Sequence, residues 1–138
     1  MSTPILICDD SGFARRQMAR SIPDGWDVEI SFAENGKEAI ALIEQGKGDV
    51  VFLDLNMPVM DGYQTMDAIR AKDLSCLVIV VSGDVQAEAR ERMIAKGAID
   101  FIRKPIDNDK LSHILSSYGI YNGDAKAEMR EATVRDGD

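Results

Sequence analysis

A chain of 138 residues, 45% hydrophobic and 29% charged, is long enough to bury one apolar core without disulfides or a structural metal. Sixteen basic side chains against 24 acidic ones leave a net charge of −8, which opposes unaided binding to a nucleic-acid backbone. No apolar run approaches the ~20 residues a membrane helix needs, so a membrane span is excluded.

In chain order, the opening Met1-Ser2-Thr3-Pro4 has no basic stretch before the apolar run Ile5 to Cys8. It reads as a first strand and not as an export signal, and the expected location is cytoplasmic. Ala14, Met18 and Ile22 then recur at helical spacing, with Ser11 as a cap and Pro23 and Gly25 as a stop. Val28, Ile30 and Phe32 alternate with Glu29 and Ser31, the pattern of a half-exposed edge strand. Asn35 can cap a second helix carrying Ala39, Ile40, Leu42 and Ile43, closed by Gly46 to Gly48.

Val50 to Leu53 and Leu77 to Val81 are continuously apolar, as in central strands of a parallel sheet covered on both faces. A third helix is expected to begin near Asp61-Gly62 and a fourth near Asp84. A fifth strand over Ile99 to Ile102 leads to a fifth helix near Asp107, with Leu111, Ile114, Leu115 and Tyr118 as its core stripe. Strict alternation of strands and helices through short connections predicts an α/β three-layer sandwich with right-handed crossovers. The domain is expected to span 1–121, leaving 122–138 as a polar tail that reads as a frayed helix over Ala125 to Glu131, a linker, or the stub of a longer protein.

Ligands of open α/β sheets bind outside the carboxyl ends of the strands. At those ends stand Asp9-Asp10, Asp54, Ser82 and Lys104-Pro105. Carboxylates brought together repel one another unless a hard divalent cation neutralises them, and magnesium is the natural candidate. A central carboxylate, Asp54, facing an ammonium and a hydroxyl is an arrangement for phosphoryl transfer.

Asp9-Asp10 after an apolar strand, Asp54-Leu55-Asn56-Met57-Pro58 with Asp61-Gly62, Ser82-Gly83 and Lys104-Pro105 together resemble the response-regulator receiver domain (CheY-like) over about residues 4 to 118. The resemblance implies a five-stranded parallel sheet in the order 2-1-3-4-5 with helices on both faces. It also implies that Asp54 accepts a phosphoryl group from a histidine kinase, a phosphotransfer protein or a small phosphodonor. Asp10, Asp54 and the Asn56 backbone carbonyl would hold Mg2+, with Mn2+ able to substitute, and Asp9 would act through a metal-bound water. Lys104 and Ser82 would bind the phosphoryl group, and Pro105 would follow a cis peptide bond. Ser82 and Phe101 would form the switch, altering the face made by the fourth helix, fifth strand and fifth helix. Many members have tyrosine where this chain has Phe101, which lacks the hydroxyl. The implied partners are a kinase or phosphotransfer protein and an output protein or fused downstream domain, without direct nucleic acid or membrane. The implied state is a monomer or weak dimer, a stoichiometric phosphoacceptor with self-phosphorylation and autodephosphorylation activity and not a conventional enzyme.

Singly, these residues have plainer readings. Asp9-Asp10 would be helix-capping acids, Asp54, Asn56 and Asp61-Gly62 turn residues, Ser82 a strand-end hydroxyl, Lys104 a solvated lysine and Phe101 core. Only their conjunction favours a site. The competing function is a haloacid-dehalogenase-type phosphohydrolase, but Asn56 stands where that chemistry needs a second aspartate. A flavin mononucleotide carrier would meet repulsion between its phosphate and Asp9-Asp10. Cys8 and Cys76 read as buried reduced thiols, His113 as a helix-surface residue, Trp26 as an apolar plug, and Met57, Met60 and Met66 as packing or an adaptable partner surface.

Overall fold

The computed structural model describes residues 2–83 and 86–121. The elements are β1 (Thr3–Cys8), α1 (Gly12–Ser21), β2 (Val28–Ala33), α2 (Gly36–Glu44), β3 (Val50–Leu53), α3 (Gly62–Ala71), β4 (Leu77–Ser82), α4 (Ala87–Ala95), β5 (Asp100–Arg103) and α5 (Asn108–Ser117). Every strand pairing is parallel, in the order β2-β1-β3-β4-β5. Alternation along the inner strands divides the core between the two faces of the sheet. Leu6, Cys8, Val51, Leu53, Val78 and Val80 pack towards α2, α3 and α4, while Ile5, Ile7, Val50, Phe52, Ile79 and Val81 pack towards α1 and α5.

Helix starts follow the capping residues: Ser11, Asn35 and Asp107 each accept a backbone N–H at the start of their helix. Asp61 and Gln64 form a reciprocal capping box on α3. The expected start of the fourth helix near Asp84 lies outside the described residues, as do the tail expectations for 122–138.

Four expectations need amendment. β5 begins at Asp100, one residue later than expected, although the Ile99 N–H already bonds the Val78 carbonyl ahead of the Ile79 and Asp100 pairing. On β2, Ile30 and Phe32 remain 37% and 48% exposed, since this edge strand lies beyond the cover of α1. Tyr118 is also exposed; as the C-cap of α5 it turns its hydroxyl to Asp100 and leaves the core stripe. Cys8 is buried but Cys76 is only partly so, in the turn before β4. Met57 and Met66 are buried in the α2/α3/α4 face, which favours the packing reading for them. Trp26 is buried against Tyr121, their ring centroids 6.1 Å apart. Among the described residues, no helix is long and apolar enough to cross a membrane.

Candidate functional site

Backbone pairing beyond the strand ends sets the positions of the side chains. The Asp54 N–H donates to the Cys8 carbonyl, the Asp9 N–H to the Ala33 carbonyl and the Lys104 N–H to the Ser82 carbonyl. These bonds carry the sheet one residue past β1, β3 and β5, so Asp9, Asp54, Ser82 and Lys104 stand on one rim. Carboxylate oxygens of Asp9, Asp10 and Asp54 lie within 4.8 Å of one another. Asp9 and Asp54 are buried and Asp10 is exposed.

Lys104 is the ammonium facing this cluster, its Nζ 2.9 Å from Asp9 Oδ2 and 3.6 Å from Asp54 Oδ1. The other oxygen of Asp9 accepts the Ser11 N–H at 2.9 Å. Burial and the nearby Asp9 charge push the Asp54 carboxyl up to about 6, against the opposing pull of Lys104. For Lys104, burial works against the charged form, but its bond to Asp9 and the charges of Asp54 and Asp9 together raise its pKa. One ammonium among three carboxylates leaves excess negative charge in a partly buried cup. That charge and an all-oxygen donor set suit a hard divalent cation such as magnesium. A cavity of about 40 Å³ adjoins these groups, bordered by Gln17, Asp9, Asp54, Lys104 and Pro105 over an apolar floor of Phe52 and Met18.

Ser82 is fully buried at the end of β4, and Asn56 is exposed two residues beyond Asp54. Phe101 is partly buried against the α2/α3/α4 face. The Lys104–Pro105 peptide bond is cis. His113 is exposed on α5, apart from the acidic cluster.

Sequence reasoning missed the residues that hold this rim in place. Gly62 does more than begin α3: its N–H bonds the Leu55 carbonyl, and a Cβ there would lie 2.6 Å from the Asp54 carbonyl oxygen. Only glycine lets the helix approach the backbone of Asp54 so closely. Gly36 does the same for the next turn, its N–H bonded to the Met60 carbonyl and its missing side chain replaced by Thr65 and Met60. Between them Val59 takes φ 68° in a three-residue turn closed by the Met60 N–H on the Pro58 carbonyl, a strained conformation for a β-branched residue. Glycine at the first position of α2 and α3, where helix propensity disfavours it, was the available signal, although α1 also begins with a glycine, Gly12, that lies against arginine side chains only. Arg15 was also missed; its guanidinium donates to the Asp9 carbonyl at 2.7 Å.

Comparison with known proteins places the same frame in a family. The response regulator receiver domain model matches residues 5–116. The chemotaxis protein CheY of Listeria monocytogenes is 39% identical over 111 residues, covering 80% of this chain and 93% of that protein. A protein-glutamate methylesterase/protein-glutamine glutaminase of Rhodospirillum rubrum is 39% identical over 104 residues, 75% of this chain but only 28% of the relative. Among solved structures, CheY in the CheX-CheY-BeF3-Mg2+ complex from Borrelia burgdorferi is similar with TM-score 0.74 and 31% identity, covering 83% of this chain and 87% of that one. The strand order, the acidic rim opposite Lys104 and a family match spanning both have one reading: the chain belongs to the response regulator receiver domains of two-component signalling.

Proposed function

We propose that Asp54 is the phosphoacceptor of this receiver, that its modification is magnesium-dependent, and that Lys104 and Ser82 bind the transferred group. One observation carries the reading: the three carboxylates converge within 4.8 Å while Lys104 Nζ stands 3.6 Å from the Asp54 oxygen. Asp54 is the central member, at the end of the central strand β3.

In the reaction, an Asp54 carboxylate oxygen attacks phosphorus, the bond from phosphorus to the donor breaks, and the donor leaves with that electron pair. Asp10, Asp54 and the Asn56 carbonyl are the proposed ligands of the cation, with Asp9 acting through a water. The cation offsets the repulsion between a carboxylate nucleophile and an anionic donor. Lys104 neutralises one phosphoryl oxygen and the Ser82 hydroxyl donates to another. In doing so Lys104 would turn from Asp9, leaving that carboxylate to hold the water of a bound cation. Movement of Ser82 and Phe101 then alters the face of α4, β5 and α5, where an output protein or fused domain would bind. Phosphorylation adds nearly two negative charges, enough to bias states that differ by a few kcal/mol.

The proposed partners are a histidine kinase or phosphotransfer protein upstream and an output module downstream, in the cytoplasm. The receiver acts as a stoichiometric acceptor that catalyses its own labelling and hydrolysis, with residues 1–121 as its domain. Incubation with acetyl phosphate and Mg2+, followed by intact mass, tests this. Wild type should gain one phosphoryl group and Asp54→Asn none; labelling that persists in Asp54→Asn, or that ignores chelation of the metal, would refute the assignment.

A further inference from the structure

Helix α4 buries Ala89 and Met93, against four residues buried on the adjacent α3, and polar ties add to what fixes its position. Two reach α3: Lys96 Nζ to Asp67 at 2.6 Å, and the Arg92 guanidinium 4.0 Å above the Tyr63 ring. A third reaches β5, where Arg90 Nη1 lies 3.2 Å from Asp100 Oδ1 and 3.2 Å from the Phe101 carbonyl oxygen.

Asp100 is the centre of this third tie. Oδ1 accepts the Phe101 N–H at 2.7 Å as well as Arg90, and Oδ2 accepts the Tyr118 hydroxyl at 3.0 Å. The carboxylate is only 16% exposed, and it joins α4, β5 and the end of α5. β5 is an edge strand, whose outward peptide groups need partners. Both peptide groups of Phe101 find theirs in this clasp.

Resting on the reading of Asp54 given above, we propose that Arg90 is a positioning residue of the switch: it holds α4 on β5 in the arrangement where Lys104 rests on Asp9, and it lets go as that arrangement is left. The argument is one of coupling. α4 cannot shift along β5 without pulling Arg90 from both acceptors, and one of these is the carbonyl of Phe101 itself, so the clasp ties the position of α4 to the backbone that carries the switch residue. Arg90 itself is 55% exposed, so release costs little and the clasp biases the equilibrium without locking it. A second ligand, the phosphoryl group, need supply only the difference.

The test is titration of Mg2+ alone and then of beryllofluoride with Mg2+ into wild type, Arg90→Ala, Arg90→Lys, Asp100→Asn and Tyr118→Phe. Arg90→Ala should keep its Mg2+ affinity within about twofold and bind beryllofluoride about threefold more tightly, the size expected from an exposed pair. Arg90→Lys, a point charge that cannot span both acceptors equally well, should fall between. Asp100→Asn, which removes the charge but leaves the Phe101 carbonyl as an acceptor, should also fall between, and adding it to Arg90→Ala should add nothing. A merely structural loss would weaken both titrations and raise neither. Unchanged or weaker beryllofluoride binding in Arg90→Ala, with wild type binding normally, overturns the clasp and leaves the Asp54 assignment standing. Failure of wild type to bind beryllofluoride overturns that assignment and the clasp with it.

Discussion

The two helices that follow the central strands meet the acidic rim in opposite ways. α3 is fixed at its start: Asp61 and Gln64 cap it reciprocally, Gly62 lies against the Asp54 backbone, and Gly62, Thr65, Met66 and Ile69 are buried. α4 starts at Gln86 without a side-chain cap bond and buries two residues. One wall of the rim is thus held by backbone contact and core packing, the other by fewer core contacts and by polar ties. The proposed phosphoacceptor needs the first arrangement, because a displaced Asp54 would lose its alignment with the donor. A responsive surface needs the second, because an element with little buried area is the one that a modest free energy can move.

The largest expected effect comes from adding the same methyl group to both walls. In Gly62→Ala the new Cβ meets backbone, 2.6 Å from the Asp54 oxygen and 2.8 Å from the Leu55 Cα. Neither can yield as a side-chain tip would, so we expect a loss of about 3 kcal/mol in urea unfolding and a marked fall in acetyl phosphate labelling. Beside Ser82, a Cβ on Gly83 meets nothing within 4 Å. Gly83→Ala should therefore change stability by less than about 0.5 kcal/mol. Equal costs at the two glycines would erase the distinction between the walls.

Next in size is the charge that both walls enclose. Burial, together with Asp9, raises the folded Asp54 carboxyl from 3.8 to about 6. A raised value means that the neutral form is favoured on folding. The associated stability is complete below the unfolded value near 3.8 and is lost as pH rises through about 6. Asparagine does not titrate. Asp54→Asn should then be more stable than wild type by about 2 kcal/mol at pH 7.5 without metal, with the gap closing towards pH 4. Denaturation curves across that range, with and without Mg2+, check the sign. A gap that widened on acidification would mean that Asp54 is stabilised, not strained, by its neighbours.

Much of this frame could be read before any coordinates. The apolar run Ile5 to Cys8 and the continuous runs at Val50 to Leu53 and Leu77 to Val81 show which segments enter the core, and the polar residues after them mark the rim. What could not be read depends on contacts between distant segments. Gly62 looks like a turn residue until the Asp54 carbonyl is placed beside it, and Lys104 looks solvated until Asp9 is found 2.9 Å away. Tyr118 keeps helical spacing with Leu111 and Leu115 yet sits at the cap, where the chain leaves the core for Asp100. The weak packing of α4 was equally hidden. Its buried residues, Ala89 and Met93, form a pattern too sparse to separate a loosely held helix from an ordinary surface one.

The smallest predicted effects come from the caps, and they test whether the contrast can be reversed. Asp61 Oδ1 accepts the Gln64 N–H at 2.8 Å, and Gln64 Oε1 accepts the Asp61 N–H at 3.0 Å. Asp61→Ala should cost about 1 kcal/mol, the usual value of a lost N-cap. At α4, Gln86 already has an extended backbone, φ −78° and ψ 132°, the conformation an N-cap requires. Gln86→Asp should supply the missing acceptor and favourable charge at the helix start, adding about 0.5 kcal/mol. If loose anchoring of α4 is what allows the response, that gain should appear as slower amide exchange in 87–95 and slightly weaker beryllofluoride binding. Slower exchange with tighter binding would show that the cap belongs to the responding state, and that the lack of a side-chain cap bond on α4 is not what makes this wall adjustable.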